Sequence, residues 1–146
     1  MGSTPIRRTK FRVLDHMPQD TKRVGNVSEA AVLAALLKRG YVVLTPWGDE
    51  RYDLVIDNEG TFERVQVKTG RIISGAVVVD AKSVSTKGTN WYHGQVDHIA
   101  AYCTELDKCY LVPMVVFGKR RSISLRFEAS KNHQSKRVTL AKDFEL

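Results

Sequence analysis

The sequence predicts one α/β domain in which a mixed β-sheet is flanked by α-helices. Alanine and leucine dominate residues 27–39, VSEAAVLAALLKR, and this composition favours a helix. Short apolar or alternating segments then recur along the chain, and these favour strands. A helix followed by strands, a second helix and further strands is the element order of a mixed sheet with helices on its flanks.

The length of 146 residues allows one domain with a hydrophobic core and is too short for two. Residues 1–24 are polar and basic without a clear period, so we expect a flexible arm there and a single domain over residues 25–146. No apolar segment is long enough to span a membrane, and no association with a membrane is expected. Cys103 and Cys109 follow no disulfide pattern, which favours a reducing, cytoplasmic location.

The first helix is expected to open at Gly25 and Asn26 and to close at Lys38, Arg39 and Gly40. Glu29 stands three residues after Asn26, which is the spacing of a capping box. The local sequence therefore gives Glu29 a structural role, and a functional role needs support from elsewhere in the chain.

Residues 52–69, YDLVIDNEGTFERVQVKT, predict two half-buried strands joined by a tight turn. Gly60 can take the positive φ that such a turn requires. If Glu59 and Gly60 form a two-residue loop, Leu54 lies opposite Val65. The register is fixed because a slip of one residue would turn the wrong face to the core.

This register places three polar side chains together. Asp53 lies opposite Gln66, and Lys68 follows on the same face roughly 7 Å further along its strand. A carboxylate, an amide oxygen and an ammonium group thus meet on one surface of the hairpin, while the other surface is apolar. We interpret this surface as a functional site. The alternative is that Lys68 protects an edge strand and that Asp53 only precedes a turn.

The rest of the chain predicts further elements by the same criteria. Apolar or alternating segments indicate strands, and the Ser/Thr/Lys/Gly stretch indicates a flexible loop. Strands are expected at residues 41–45, 76–79, 110–113 and 122–127, a loop at 83–90, a helix at about 95–106 with Val96, Ile99, Ala100 and Cys103 on one face, and a short last helix at 140–146.

The net charge of +7 is concentrated in clusters, which favours a polyanionic partner, nucleic acid first. A solvated basic surface is the alternative. Two clusters are the candidate DNA-binding residues, Arg7, Arg8, Lys10 and Arg12 in the arm and Lys119, Arg120 and Arg121 before the last strand; Lys131, Lys136 and Arg137 form a third.

Two weaker patterns also occur. Trp91 and Tyr92 could stack on unpaired bases or anchor their loop to the sheet. A zinc site is disfavoured because the spacing of its candidate ligands matches no common pattern, and core packing is the better interpretation for His93, His98, Cys103 and Cys109.

Glu29, Asp53 and the triplet at residues 66–68 resemble the PD-(D/E)XK nuclease pattern. The flanking segments VQVKTGR at 65–71, YHGQVD at 92–97 and YLVP at 110–113 resemble its group I intron-associated branch, and GNVSE at 25–29 resembles the helix entry of archaeal-type Holliday junction resolvases. The resemblance runs from about Gly25 to the C-terminus. It implies a restriction-endonuclease-like core and a bacterial, archaeal or phage-infected host cell.

The resemblance also implies roles for the site residues. Glu29, Asp53 and Gln66 would bind Mg²⁺, with Mn²⁺ as a substitute, and Lys68 would orient or help deprotonate the attacking water. Gln66 departs from the usual acid of the triplet, although the intron-associated branch is understood to use glutamine here. Its carbonyl oxygen can bind a hard cation but adds no charge. Two hypotheses follow: the second metal position of the pattern is unfilled, or Gln66 is a neutral ligand suited to a single metal ion.

The expected function is a metal-dependent DNA endonuclease that works as a homodimer or higher oligomer, because one site cuts one strand. Structure-selective cleavage of branched DNA, as in Holliday junction resolution and recombination, is slightly favoured, because the compact chain has no separate recognition module. A sequence-specific homing-type endonuclease on duplex DNA is the first alternative. A catalytically silent DNA-binding module of the same fold is the second.

Overall fold

A computed structural model describes residues 20–129 and 138–146 of the chain. These residues form two α-helices, ten β-strands and one 3-10 turn. The elements are α1 (Thr21–Lys38), β1 (Val42–Leu44), β2 (Leu54–Asn58), β3 (Thr61–Ile73), β4 (Ala76–Asp80), β5 (Lys82–Ser85), β6 (Gly88–Trp91), β7 (His98–Cys103), β8 (Lys108–Pro113), α2 (Met114–Phe117), β9 (Ser122–Arg126), β10 (Thr139–Leu140) and the 3-10 turn (Ala141–Asp143).

Strand β3 is the centre of a mixed sheet, as the sequence predicts. It pairs in turn with β2, with β7 in parallel orientation and with β4, and the sheet continues through β8 on one side and through β9 and β10 on the other. Gly70 lies where β3 passes from β7 to β4. A Cβ atom there would lie 2.8 Å from Val77 Cγ1, so this close approach of β3 and β4 requires glycine.

Helix α1 begins at Thr21, which is five residues before the predicted start at Asn26. The Asp20 carboxylate caps it by accepting a hydrogen bond from the Lys22 amide at 3.0 Å. Residues 21–24 of the predicted arm therefore belong to the helix, and Glu29 lies in its interior and is not a capping-box residue. Gly25 costs helix stability without ending the helix.

The second predicted helix is wrong, because residues 98–103 form strand β7. Ile99, Ala100 and Ala101 are fully buried in the middle of β7, between the parallel strand β3 and the antiparallel strand β8. A strand that is covered on both faces is apolar throughout and does not alternate. Such a segment cannot be distinguished from a buried helix by periodicity alone.

Two other elements differ from the prediction. The predicted loop at 83–90 is most of a two-stranded antiparallel ribbon, β5 and β6. The predicted helix at 140–146 is only one 3-10 turn after the short strand β10. The strands predicted near 41–45, 76–79, 110–113 and 122–127 are confirmed with small shifts at their ends.

Apolar side chains pack on both faces of the sheet. Val32 and Leu36 of α1 are fully buried against Leu54, Ile56 and the helix-facing side chains of β3. On the other face a larger cluster centred on Tyr110, Val112 and Phe117 packs against β4, β7 and β9. Burying side chains of this size contributes roughly 1.5–3 kcal/mol each, so the helix and the hairpin are held at a fixed distance.

The predicted arm cluster Arg7, Arg8, Lys10 and Arg12 lies outside the described residues, as do Lys131, Lys136 and Arg137. Among the residues that the structure describes, no helix is long and apolar enough to cross a membrane.

Candidate active site

The β2–β3 hairpin has the register that the sequence predicts. Leu54 pairs with Val65, and Asn58 pairs with Thr61, which leaves Glu59 and Gly60 as a two-residue loop. Both loop residues have positive φ, 52° and 87°, as a type I′ turn requires. The backbone amide of Asp53 donates to the Val65 carbonyl at 3.0 Å, which extends the pairing to the start of β2.

The predicted contact between Asp53 and Gln66 is present. The Gln66 side-chain amide donates to Asp53 Oδ2 and also to the Val67 carbonyl at 3.2 Å, and the Val67 amide donates to the same Asp53 oxygen at 2.7 Å. Burial raises the pKa of the Asp53 carboxyl, although the Val67 amide, Lys68 and the Gln66 amide each oppose this effect. The carboxylate is thus desolvated and held in one orientation.

Glu29 reaches the same place from helix α1. Ser28 is buried and anchors the helix to β3, because its hydroxyl shares a hydrogen bond of 2.7 Å with Thr69 Oγ1. Glu29 and Asp53 line one pocket of about 460 Å³. Burial, and second the charge of Asp53, raise the pKa of Glu29. Two carboxylates that line one pocket are suited to bind a cation there.

The pocket is acidic beyond the predicted residues. Asp49 and Glu50, from the loop between β1 and β2, also line it, together with Asn26 of the helix. The local sequence does not predict a role for these two carboxylates, although they stand just before Asp53 in the chain.

Lys68 is held by Tyr92, a contact that the local sequence does not predict. The Lys68 ammonium donates to the Tyr92 hydroxyl at 3.0 Å and lies 4.6 Å from the ring centroid. The Arg51 guanidinium lies at the same distance from that ring and donates to Gln95 Oε1 at 2.7 Å. Tyr92 is buried, so of its two predicted roles the structure supports anchoring over stacking on bases.

A second group of charges fixes strand β7 beside the hairpin. Asp97 accepts hydrogen bonds from the Arg64 backbone amide at 2.7 Å and from its guanidinium at 3.1 Å. The Arg64 guanidinium lowers the pKa of Asp97. His98 and Glu63 form a neighbouring contact at 2.7 Å. These residues align β7 with β3.

The basic residues before β9 have different surroundings. Arg121 stacks on Trp91 at 4.9 Å. Arg120 donates to the Val116 and Phe117 carbonyls at the end of α2, so its guanidinium is engaged within the protein. Lys119 is exposed.

The structure offers no support for a zinc site. Cys103 and Cys109 are buried in clusters on opposite faces of the sheet. Within residues 20–129 and 138–146, no three His, Cys, Asp or Glu side chains form a group that could hold a metal ion.

The candidate metal ligands are the carboxylates of Glu29 and Asp53 and the side-chain amide of Gln66. All three side chains carry oxygen atoms, the ligands that hard divalent cations prefer, and burial raises the pKa of both carboxyls. Together with a mixed sheet centred on the hairpin, this site defines the class of restriction-endonuclease-like nucleases.

Comparison with known proteins agrees with this class. The PD-(D/E)XK endonuclease family matches residues 19–146, and the chain belongs to that family. Nucleases of this family generally use divalent metal ions and act on DNA. The bacterial homing endonuclease I-Ssp6803I is similar in structure, with a TM-score of 0.65 and 32% sequence identity over 86% of this chain and 88% of that one. No curated protein sequence matches the chain.

Proposed function

We propose that the protein is a Mg²⁺-dependent endonuclease that hydrolyses phosphodiester bonds in duplex DNA. The observation that carries the proposal is the half-buried Asp53 carboxylate, which accepts hydrogen bonds from Gln66 and the Val67 amide and shares an acidic pocket with Glu29. Family membership supports the nuclease chemistry. The similarity to a bacterial homing endonuclease favours a duplex site over the branched substrate that the sequence slightly favoured.

In this proposal Asp53, Glu29 and the Gln66 carbonyl oxygen hold the metal ion. Mg²⁺ or Mn²⁺ bound there would neutralise charge on the phosphate and lower the pKa of a bound water. Gln66 must turn its amide to present oxygen, because its nitrogen faces Asp53 and the Val67 carbonyl in the protein alone. The Val67 amide keeps Asp53 oriented during this change.

Lys68 would supply the positive charge on the other side of the reacting phosphate. Its hydrogen bond to the buried Tyr92 hydroxyl fixes the ammonium group close enough to Asp53 to lower the cost of ionising that carboxyl. From this position Lys68 can orient the attacking water and stabilise developing negative charge.

We further propose that the enzyme acts as a homodimer or higher oligomer in the cytoplasm of its host cell. The described part of the chain contains one such site, so a double-strand break by this site needs two copies. Native mass spectrometry of the free protein and of its DNA complex tests the assembly, and a monomer in both states would contradict it.

The function is tested by cleavage of four substrates, a random plasmid, a linear duplex, a four-way junction and single strands, with Mg²⁺, with Mn²⁺ and with EDTA. Asp53→Ala and Lys68→Ala are expected to lower the cleavage rate by about 10³-fold or more while DNA affinity changes little. Asp57→Ala and Lys108→Ala are matched controls, because these side chains lie at the hairpin turn and in a surface ion pair with Glu145.

Three results would overturn the proposal. Cleavage that continues in EDTA would contradict the metal dependence. Turnover similar to wild type in either active-site variant would contradict the assignment of the active site. Cleavage of the four-way junction alone would show that branched DNA, and not duplex DNA, is the substrate.

A further inference from the structure

We propose that the ribbon formed by β5 and β6 reads base edges in the major groove of the DNA substrate; this inference rests on the proposed nuclease function. The ribbon is a separate two-stranded sheet, and among the described strands β5 and β6 pair only with each other. Residues 84–90 are all exposed. The ribbon is therefore available to a partner along most of its length.

The chemistry of the ribbon fits nucleic acid. Between Ala81 and Val96 the chain contains two lysines, Lys82 and Lys87, and no acidic residue. The other ribbon side chains are mainly serine, threonine and asparagine, which donate and accept hydrogen bonds. An apolar protein partner would leave these groups without hydrogen-bond partners and the lysines desolvated, whereas DNA offers phosphates for the lysines and base edges for the polar groups.

The pairing register distributes these side chains over two faces. Ser83 lies opposite Asn90, and Val84 lies opposite Thr89. Asparagine can bond adenine through two hydrogen bonds, and threonine and valine methyl groups can contact the methyl group of thymine. Val84 is 72% exposed, which is costly for an isolated ribbon and is relieved by such a contact. Both faces therefore present groups that distinguish bases.

The dimensions of the ribbon also match. Two strands of four residues extend about 13 Å and lie about 5 Å apart, and the major groove is about 12 Å wide and admits a two-stranded ribbon. The tip, Thr86 and Lys87, would reach the groove floor or the far phosphates.

The base of the ribbon is joined to the catalytic centre. The Tyr92 amide donates to the Ala81 carbonyl at 3.2 Å, and the Ala81 amide donates to the Arg121 carbonyl at 2.9 Å. Both Ala81 and Tyr92 are buried, and Tyr92 holds Lys68. A ribbon fixed in this way sets a constant spacing between the base pairs it contacts and the bond that is cut.

The test is a binding selection from a library of duplexes with 30 random base pairs, in EDTA so that no cleavage occurs. Wild type is compared with the double variant Thr89→Ala and Asn90→Ala, and with Thr104→Ala as a control for an exposed threonine away from the ribbon. We expect wild type and the control to enrich the same motif. The ribbon variant is expected to lose preference at up to about four adjacent base pairs, by about tenfold, and to keep it elsewhere.

Two outcomes would overturn the inference. An unchanged motif in the ribbon variant, or the absence of any motif for wild type, would show that the ribbon reads no bases. A uniform loss of affinity for all sequences would show that the ribbon contacts only the sugar-phosphate backbone of DNA. That result would equally contradict base reading. Thermal melts of the variant confirm that it is folded. Because the selection needs no cleavage, its result is independent of a failure of the proposed nuclease activity, which appears only in the cleavage panel.

Discussion

Replacing Gln66 with glutamate tests the central contact of the site. The Gln66 amide donates to the Asp53 carboxylate and to the Val67 carbonyl, and its side chain is about nine-tenths buried. An ionised glutamate would donate to neither and would place a second negative charge beside Asp53. A protonated glutamic acid keeps one O–H donor. We therefore expect the metal-free variant to bind a proton at this pair when it folds.

The cost at neutral pH follows from that proton. Holding a glutamic acid with an ordinary pKa of about 4.3 in its protonated form at pH 7 costs about 3.7 kcal/mol. Leaving both groups ionised is no cheaper, since two charges about 4 Å apart repel by about 4 kcal/mol at an effective dielectric constant of about 20. We expect Gln66→Glu to lower the free energy of unfolding by about 3–4 kcal/mol at pH 7 and the melting temperature by about 7–15 °C.

The sign of the pH dependence is fixed by the same argument. The folded variant binds a proton that the unfolded chain releases, so lowering the pH stabilises it relative to wild type. The deficit is expected to shrink by about 1.4 kcal/mol per pH unit and to become small near pH 4.5. Bound Mg²⁺ should remove most of the deficit, because a cation replaces the proton. Half-maximal cleavage should also need less metal than in wild type.

The assay is urea unfolding of both proteins in EDTA between pH 5 and pH 8, beside melts with Mg²⁺ and a metal titration of the cleavage rate. Gln95→Glu is the matched control. Gln95 is exposed and accepts from Arg51, so a glutamate there should change stability by no more than about 0.5 kcal/mol. A deficit in Gln66→Glu that does not vary with pH, or none at all, would refute the contact between Gln66 and Asp53.

Three further changes have distinct expected results. Asp53→Asn should abolish cleavage yet raise metal-free stability at neutral pH, a gain that fades in acid because burial raises the pKa of the carboxyl it replaces; unfolding curves at several pH values check this, and a loss of stability at pH 7 would contradict it. Tyr92→Phe should slow cleavage about tenfold at unchanged DNA affinity, since it removes the acceptor for the active-site ammonium; an unchanged rate would show that the hydroxyl does not position it. Lys119→Gln and Arg121→Gln should each lower the slope of log K for DNA against log salt by about 0.9. Arg120→Gln should mainly lower the melting temperature, because its guanidinium binds α2 carbonyls. A wild-type slope in all three variants would show that these residues form a solvated surface that does not contact DNA.

The hairpin and the contact between Asp53 and Gln66 were predictable because they are local. Alternating side chains fix which face of each strand is buried, and the glycine turn fixes the loop length. Only one pairing register of the two strands satisfies both conditions. The helix was predictable from its alanine and leucine content, but its first residue was not. Asp20 is as good a cap as Asn26, and only the structure shows which of them the chain uses.

The elements that the sequence did not predict depend on distant parts of the chain. Strand β7 is apolar because two neighbouring strands and two clusters cover it, and a helix would show the same composition. The ribbon has the polar composition of a loop, since no other part of the described protein covers its outer residues. In both cases the surroundings, and not the local pattern, select the backbone conformation.

Thus the sequence by itself determined the residues of the candidate site that lie on one hairpin, because backbone geometry alone brings them together. The tertiary structure decided which partners they receive. Glu29 lines the same pocket as Asp53 because Ser28 binds Thr69 across the helix–sheet interface, and Lys68 is held by Tyr92 from 24 residues further along the chain. Contacts of this kind depend on how whole elements pack, and a local pattern carries no information about that packing.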